Sequence, residues 1–257
     1  MAEEIPQLQS LRSMPTICNN CKNPNVEKYC PKCGQAAVLT RIDKHYISHE
    51  IEHLAHVERG VIYTIVQLML RPGATIRSYI NENRSRHMKP VPFLILTSLL
   101  YTIIAHFFHA DEIYNEKEKL LFGKSTINDI QHWVQTHYGY ANIIMGIFIA
   151  LFVKLLFKKY KYNLFEITVL LCFVMGQGMV YLTIEAFFIG IISKQTFIVI
   201  LTAVSLVYPT WAIGQFFDSR KVSSYIKSFL AYLLGYVAFY LAIIVVGLTL
   251  DLILGAI

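Results

Sequence analysis

The chain has 257 residues, of which 55% are hydrophobic and 16% charged, and its formal net charge is +6. Soluble domains carry about 25% charged residues, so this composition excludes an ordinary soluble globular protein. The positive charge does not require a nucleic-acid partner, and we expect none, because cytoplasmic flanks of membrane proteins are rich in lysine and arginine and no stacking or groove-reading motif is present.

Residues 1–15 form a polar leader that we expect to be loosely structured. Residues 1–17 lack the apolar core of a cleavable signal peptide, so we expect the N-terminus to remain in the cytoplasm. The domains that follow are a zinc ribbon, a juxtamembrane region and a transmembrane region. Their predicted boundaries are 16–38, 43–89 and 90–257.

Two CxxC pairs predict the zinc ribbon. The four predicted metal ligands are Cys18, Cys21, Cys30 and Cys33. In a cytoplasmic segment this spacing indicates zinc rather than disulfides, and Gly34 supplies the permissive backbone that such a turn needs. Four thiolates close a tetrahedral site, so we expect one structural Zn²⁺ that folds the segment. By analogy with other ribbons, we expect it to dock a cytoplasmic protein partner.

The juxtamembrane region is predicted to contain amphipathic helices. Apolar residues recur at helical spacing from Asp43 to about Leu70, and Pro72 with Gly73 ends that pattern. A second short helix is predicted from Ala74 to Asn83. We expect both helices to lie along the lipid surface with their basic side chains towards the head groups. The expected membrane-surface cations are Arg71, Arg77, Arg84, Arg86 and Lys89.

The first of these helices contains a His-Glu-x-x-His pattern at His49, Glu50 and His53. In metalloproteases this pattern holds zinc through its histidines and uses the glutamate to activate water. The pattern has only three fixed letters and no obvious third ligand follows it. We therefore favour the polar face of an amphipathic helix, and we keep a second metal site and a hydrolytic site as alternatives. On balance the sequence leans against an enzyme.

Five apolar segments are long enough to cross the hydrocarbon layer of a membrane, which is about 30 Å thick. They are approximately 91–108, 140–157, 164–190, 196–217 and 229–254. Basic residues are concentrated in alternate connections, which predicts a cytoplasmic N-terminus and an outer C-terminus. The fold class is therefore an all-α integral membrane protein with five transmembrane helices.

Polar residues within the spans are candidate functional sites, because they are costly in lipid. Gln177 lies in the middle of the third span and Glu185 near its end. A transporter would place its substrate path beside them, whereas the interpretation we favour has them hydrogen-bonding between helices. Glu166, Gln215 and Asp251 lie near span ends and are interpreted as interfacial.

Several short motifs resemble a bacterial family of small membrane proteins known as a domain of unknown function. Beside the cysteine pairs, they are Glu58-Arg-Gly-Val-Ile-Tyr-Thr64, Leu70-Arg-Pro-Gly73, Ile76-Arg-Ser-Tyr-Ile80 and Lys89-Pro-x-x-Phe-Leu94. The Arg-Pro-Gly to Lys-Pro portion is the specific part. The resemblance implies a zinc ribbon followed by several membrane spans in a bacterial inner membrane, and it implies no activity.

Three functions remain open from the sequence. The leading interpretation is a bacterial inner-membrane adaptor or sensor, which contacts membrane lipid and docks a partner through its ribbon. The second is a transporter or channel that uses the third span. The third is a membrane metallohydrolase that uses the histidine helix. Assembly into a homo-oligomer also stays open.

Overall fold

The structure is a computed structural model that describes residues 17–24, 28–37, 39, 41–42, 60–108, 125–189, 191 and 193–254. Within these ranges the regular structure consists of eight α-helices, one 3₁₀ helix (Lys158–Tyr160) and isolated β-bridges. The predicted all-α fold is therefore confirmed.

Two short helices precede the membrane-spanning part. Helix α1 covers Val61–Leu70 and helix α2 covers Pro72–Asn81. Helix α2 begins at Pro72 rather than at the predicted Ala74, because proline fits the first helical position, where no N–H donor is needed. The predicted helical residues 43–59 lie outside the described part of the chain.

Five long helices are apolar enough to cross a membrane, which confirms the predicted number of spans. They are α3 (Pro90–Phe107), α5 (Tyr138–Leu156), α6 (Leu164–Ala186), α7 (Lys194–Asp218) and α8 (Val222–Leu254). Helix α8 begins seven residues before the predicted span, at Val222. Polar residues occupy its extra turns, and 33 residues at about 1.5 Å each exceed the hydrocarbon thickness, so the helix extends beyond it.

Helix α6 lies at the centre of the bundle and packs against α3, α5 and α7. The Phe173 ring joins two neighbouring elements, because its centroid lies 5.0 Å from that of Tyr79 in α2 and 5.9 Å from that of Phe93 in α3. The outward surfaces of the long helices expose apolar side chains such as Leu99 and Val199. Exposed apolar surface of this kind is what lipid solvates.

An additional helix, α4 (Thr126–Thr136), lies in the region predicted to be an outer loop. The carboxylate of Asp251 in α8 accepts hydrogen bonds from the Ser125 hydroxyl at 2.6 Å, the Thr126 N–H at 2.9 Å and the Thr126 hydroxyl. Asp251 is thus a buried anchor for α4. We call the end of the bundle that carries α4 the distal end. The opposite end, where α3 and α6 begin and α7 finishes, is the proximal end.

Candidate metal centre and the juxtamembrane site

The four predicted metal ligands converge, and their sulfur atoms all lie within 4.8 Å of one another. The Cys18 and Cys33 sulfurs are 3.6 Å apart, and those of Cys21 and Cys30 are 3.5 Å apart. A tetrahedral site with Zn–S bonds of about 2.3 Å has sulfur–sulfur edges of about 3.8 Å. The cysteines are free thiols, so the geometry fits a single tetrahedral metal ion and not disulfides.

Each CxxC pair lies on a turn of the same construction. The N–H of Lys22 donates to the Cys18 carbonyl at 3.0 Å, and the N–H of Gly34 donates to the Cys30 carbonyl at 2.8 Å. Both donors have left-handed backbone conformations, with φ of 58° for Lys22 and 73° for Gly34. The glycine tolerates this conformation readily, whereas the lysine is strained there. The two turns therefore differ in intrinsic stability.

The electrostatics of the first turn favour a thiolate at Cys18 but not at Cys21, whose backbone hydrogen bond from Asn23 is outweighed by burial and the neighbouring sulfurs, so that its pKa is raised to about 12. Backbone hydrogen bonding from Cys21 is the largest influence on Cys18 and lowers the pKa of this thiol to about 6. A thiolate is the form that binds metal. Among the described residues, this is the only group of histidine, cysteine and acidic side chains arranged closely enough to hold a metal ion.

The ribbon is attached to the loop that joins α2 to α3. The Asn20 amide donates to the Ser85 hydroxyl at 2.6 Å and its oxygen accepts from the Asn83 amide at 3.0 Å. The N–H of Ser85 donates to the side-chain oxygen of Gln35 at 3.2 Å. Asn20 and Gln35 belong to different cysteine turns, so the loop binds both halves of the ribbon.

A second attachment leads from the ribbon to the central helix. The Arg41 guanidinium donates to both carboxylate oxygens of Glu166, at 2.9 and 3.1 Å. Glu166 also completes a capping box with Asn163 at the start of α6, and the Asn163 amide donates to the Ile42 carbonyl at 2.8 Å. Glu166 was predicted to be interfacial, and its partners show that it fastens the segment after the ribbon to α6.

The five predicted membrane-surface cations have different surroundings. Arg77 and Arg84 donate to backbone carbonyls within the protein, while Arg71 and Arg86 are exposed. Lys89 is half-buried and occupies the N-cap position of α3. The Arg86 guanidinium lies 5.2 Å from the centre of the Tyr63 ring. Arg71 and Arg86 are thus the members best placed to reach lipid head groups.

The Arg-Pro-Gly sequence is explained by contact between α2 and the end of α7. A Cβ atom on Gly73 would fall 2.4 Å from the carbonyl carbon of Gln215, so only glycine lets the two backbones approach. One turn further along α2, Arg77 donates to the carbonyls of Gln215 and Phe216, the latter at 2.7 Å. A cation at a helix C-terminus is favourable because it offsets the helix dipole and the unpaired carbonyls.

Helix α1 and its N-cap residue Gly60 contact the loop that joins α2 to α3. A Cβ atom on Gly60 would lie 2.6 Å from the Arg86 carbonyl oxygen, and φ at Gly60 is 113°. The buried Thr64 hydroxyl accepts a hydrogen bond from the N–H of Met88 at 2.9 Å. The loop is therefore fixed between the ribbon and α1.

His87 is buried in this loop, between the rings of Tyr63 and Tyr79. Its Nδ1 atom has no hydrogen-bond partner among the described residues. Burial, with a smaller contribution from the charge of Arg86, lowers the pKa of His87 to about 4. The ring is therefore neutral at physiological pH. The sequence around His87 gives no sign of its burial, because neither Arg86 nor Met88 indicates that the rings of Tyr63 and Tyr79 enclose it.

Gln177 and Glu185 do not lie in the metal centre or the juxtamembrane site. Both are buried on α6. The amide atoms of Gln177 and the carboxylate oxygens of Glu185 lack hydrogen bonds of ordinary geometry among the described residues. Glu185 nevertheless faces the backbone of Leu201 in α7, and Gln177 faces Tyr181, so the interhelical hydrogen bonds expected for them stay a prediction. The His49, Glu50 and His53 pattern lies outside the described residues.

The juxtamembrane site coincides with the part of the chain that resembles known sequences. Residues 58–102 match a family model described as a protein of unknown function (DUF3667). The matched segment contains α1, α2, the loop and most of α3. It includes Gly60, Thr64, Gly73, Arg77 and His87, whose contacts are described above. Comparison with curated proteins and with solved structures finds no match.

Proposed function

We propose that this membrane protein is an adaptor or sensor whose ribbon binds one structural Zn²⁺ and docks a protein partner. The observation that carries this proposal is the hydrogen bonding of Asn20 and Gln35 to Asn83 and Ser85. Because the ribbon is held in this way, binding of a partner to its surface affects the loop that leads into α3. Zinc is the favoured ion because it prefers closed tetrahedral thiolate sites.

The outer surface of the ribbon offers apolar residues for a partner. Ile17 is 54% exposed and Tyr29 is 61% exposed. Each directly precedes the first cysteine of its turn, so the two turns present them in equivalent positions. Exposed apolar and aromatic side chains on a rigid turn are typical anchors of protein interfaces.

We further propose that the protein lies in a bacterial inner membrane with its N-terminus in the cytoplasm and its C-terminus outside. The ring of Phe157 stacks on that of Phe217 at 3.9 Å, so two basic connections are adjacent at the proximal end. Those connections carry Lys158, Lys159, Lys161, Arg220 and Lys221. The ribbon is bound at the same end, and the positive-inside rule assigns such an end to the cytoplasm.

Site-specific photocrosslinking tests the docking proposal. A benzoylphenylalanine at Tyr29 in the full chain, irradiated in living cells, is expected to give a discrete protein adduct. The adduct should disappear in the Cys18→Ser/Cys33→Ser variant, which keeps the crosslinker but loses the metal site. The same crosslinker at lipid-facing Leu241 is the control. Lipid adducts alone at Tyr29, or a protein adduct that survives loss of the cysteines, would contradict the proposal.

A transporter or channel is the second candidate, and the burial of Gln177 and Glu185 on α6 favours it. An ionisable residue inside a span marks an ion or proton path by default. Reconstituted vesicles containing a pH-sensitive dye test this candidate under an imposed potassium diffusion potential. Proton entry that is lost in Glu185→Gln, but not in the exposed Glu82→Gln, would support it. A metallohydrolase stays the third alternative, and it depends on His49, Glu50 and His53.

A further inference from the structure

The distal half of the bundle contains a cavity of about 370 Å³. It lies between α5, α6, α7 and α8, and α4 covers its end. This volume is within the range of about 300–1,000 Å³ that is typical of small-molecule sites. Neither Gln177 nor Glu185 is among its lining residues.

The described wall of the cavity carries no charged side chain. Among its described lining residues there is no acidic, basic, histidine or cysteine side chain, and its polar side chains are the amides and hydroxyls of Gln131, Gln135, Asn142, Thr202 and Ser205. Three methionines, Met145, Met175 and Met179, contribute to the wall together with valines and leucines. A wall without a charged partner compensates an ion poorly for its lost hydration, so an uncharged occupant is favoured.

Aromatic rings form much of the remaining wall. Five tyrosines line the cavity: Tyr101, Tyr138, Tyr232, Tyr236 and Tyr240. The Tyr101 and Tyr138 rings are 5.0 Å apart, and those of Tyr236 and Tyr240 are 4.7 Å apart. Tyrosine rings and methionine sulfurs both make favourable contacts with another flat ring.

One polar group in this wall is left without its usual helical partner. Pro209 lies inside α7 and has no N–H, so the carbonyl of Ser205, four residues earlier, loses its helical hydrogen bond. Ser205 and Pro209 both line the cavity. A ligand hydroxyl that donates to this carbonyl would replace the missing helical hydrogen bond, and hydrogen bonds to backbone groups are worth most in a membrane interior.

Gly178 supplies an independent indication that the space is kept open. It lines the cavity, and a Cβ atom on it would meet nothing within 4 Å. Glycine in a helix interior is about 1 kcal/mol less favourable than alanine. No protein contact therefore requires glycine at this position, and the open space beside it is available to an occupant of the cavity.

From these observations we propose that the cavity binds an uncharged, lipid-soluble molecule with a hydroxyl-bearing ring. The ring packs between the tyrosines and methionines, and the hydroxyl donates to the Ser205 carbonyl. The molecule reaches the site from the membrane in which the five helices lie. This proposal does not depend on the docking function of the ribbon.

Photolabelling with a dialkylphenol that carries a diazirine tests the proposal on the full chain in lipid nanodiscs. We expect saturable labelling of the cavity residues, competed by excess unreactive dialkylphenol. Gly178→Phe fills the cavity and should reduce this labelling at least tenfold, whereas Gly178→Ala should retain it. Val204→Phe fills the cavity from the opposite wall and should give the same loss if Gly178→Phe does not fold.

The control is Leu241→Phe, which places the same phenyl ring at an exposed position on α8 and should leave labelling unchanged. Labelling that does not saturate, or that is spread over lipid-facing residues such as Val245, would overturn the proposal. Saturable labelling of the cavity that persists in folded Gly178→Phe and Val204→Phe variants would also overturn it.

Discussion

The two ends of the bundle differ in how fully they are packed. At the proximal end, glycines let backbones touch, as Gly73 does with Gln215 of α7 and Gly60 does with the carbonyl of Arg86. The distal end combines tight and open packing, because a Cβ atom on Gly247 of α8 would fall 2.4 Å from Ile127 of α4, whereas one on Gly178 beside the cavity would meet nothing within 4 Å. The comparison indicates that the proximal end is built for attachment, whereas the distal end leaves room beside α6. The family match covers the proximal elements and most of α3.

Metal content should show the largest effect. We expect one zinc per chain in the purified full chain, none in Cys18→Ser/Cys33→Ser and one in His53→Ala. Structural zinc contributes about 10–16 kcal/mol of binding free energy, so loss of the cysteines should unfold the ribbon. Elemental analysis provides the measurement. A second metal that is lost in His53→Ala would instead support the histidine helix as a metal site and revive the hydrolase alternative.

Alanine substitutions at Gly73 and Gly178 should change the stability of the protein differently. Gly73→Ala places a methyl group against the backbone of α7 and should destabilise the protein by about 1–3 kcal/mol. Gly178→Ala enters open space and should be neutral or stabilising by up to about 1 kcal/mol. Thermal unfolding in one detergent measures both. Equal destabilisation by both variants would remove the contrast between the ends.

Acid should weaken the proximal end through His87. Its folded-state pKa of about 4 lies below the ordinary value of 6.5, so the unfolded chain binds more protons between these values. The contribution of neutral His87 to the free energy of unfolding is thus fully present above about pH 6.5, and it is lost as the pH falls towards 4. Thermal unfolding at pH 7 and pH 5 checks this. His87→Phe keeps the ring packing with Tyr63 and should lose less stability on acidification; an identical pH dependence would contradict the assignment.

The smallest effect should come from the two cysteine turns. Lys22 has the left-handed conformation that Gly34 has in the second turn. Lys22→Gly should therefore stabilise the ribbon by about 1 kcal/mol, and Gly34→Ala should destabilise it by a similar amount. Chelator titration of bound zinc reports both changes. A loss of metal affinity in Lys22→Gly would show that the lysine side chain has another role.

The sequence alone predicted the features that are formed by residues close together in the chain. The cysteine spacing predicted the metal ligands, and the length of the apolar segments predicted five spans. It was insufficient where partners are distant in the chain. Nothing near Asp251 indicates that it anchors α4, because Ser125 and Thr126 lie more than a hundred residues away. Arg77 was predicted at the lipid surface, because a basic residue beside a span gives no sign that it will contact a helix end.

Hydrogen exchange in nanodiscs, with and without a zinc chelator, tests most directly whether the metal ribbon and the juxtamembrane loop form one unit. Amides of residues 83–88 should exchange faster once zinc is removed, because the ribbon contacts of Asn83 and Ser85 depend on the folded ribbon. Amides of residues 131–142 at the distal end should not change. Unchanged exchange in the loop after complete zinc removal would contradict the proposed coupling between ribbon and bundle.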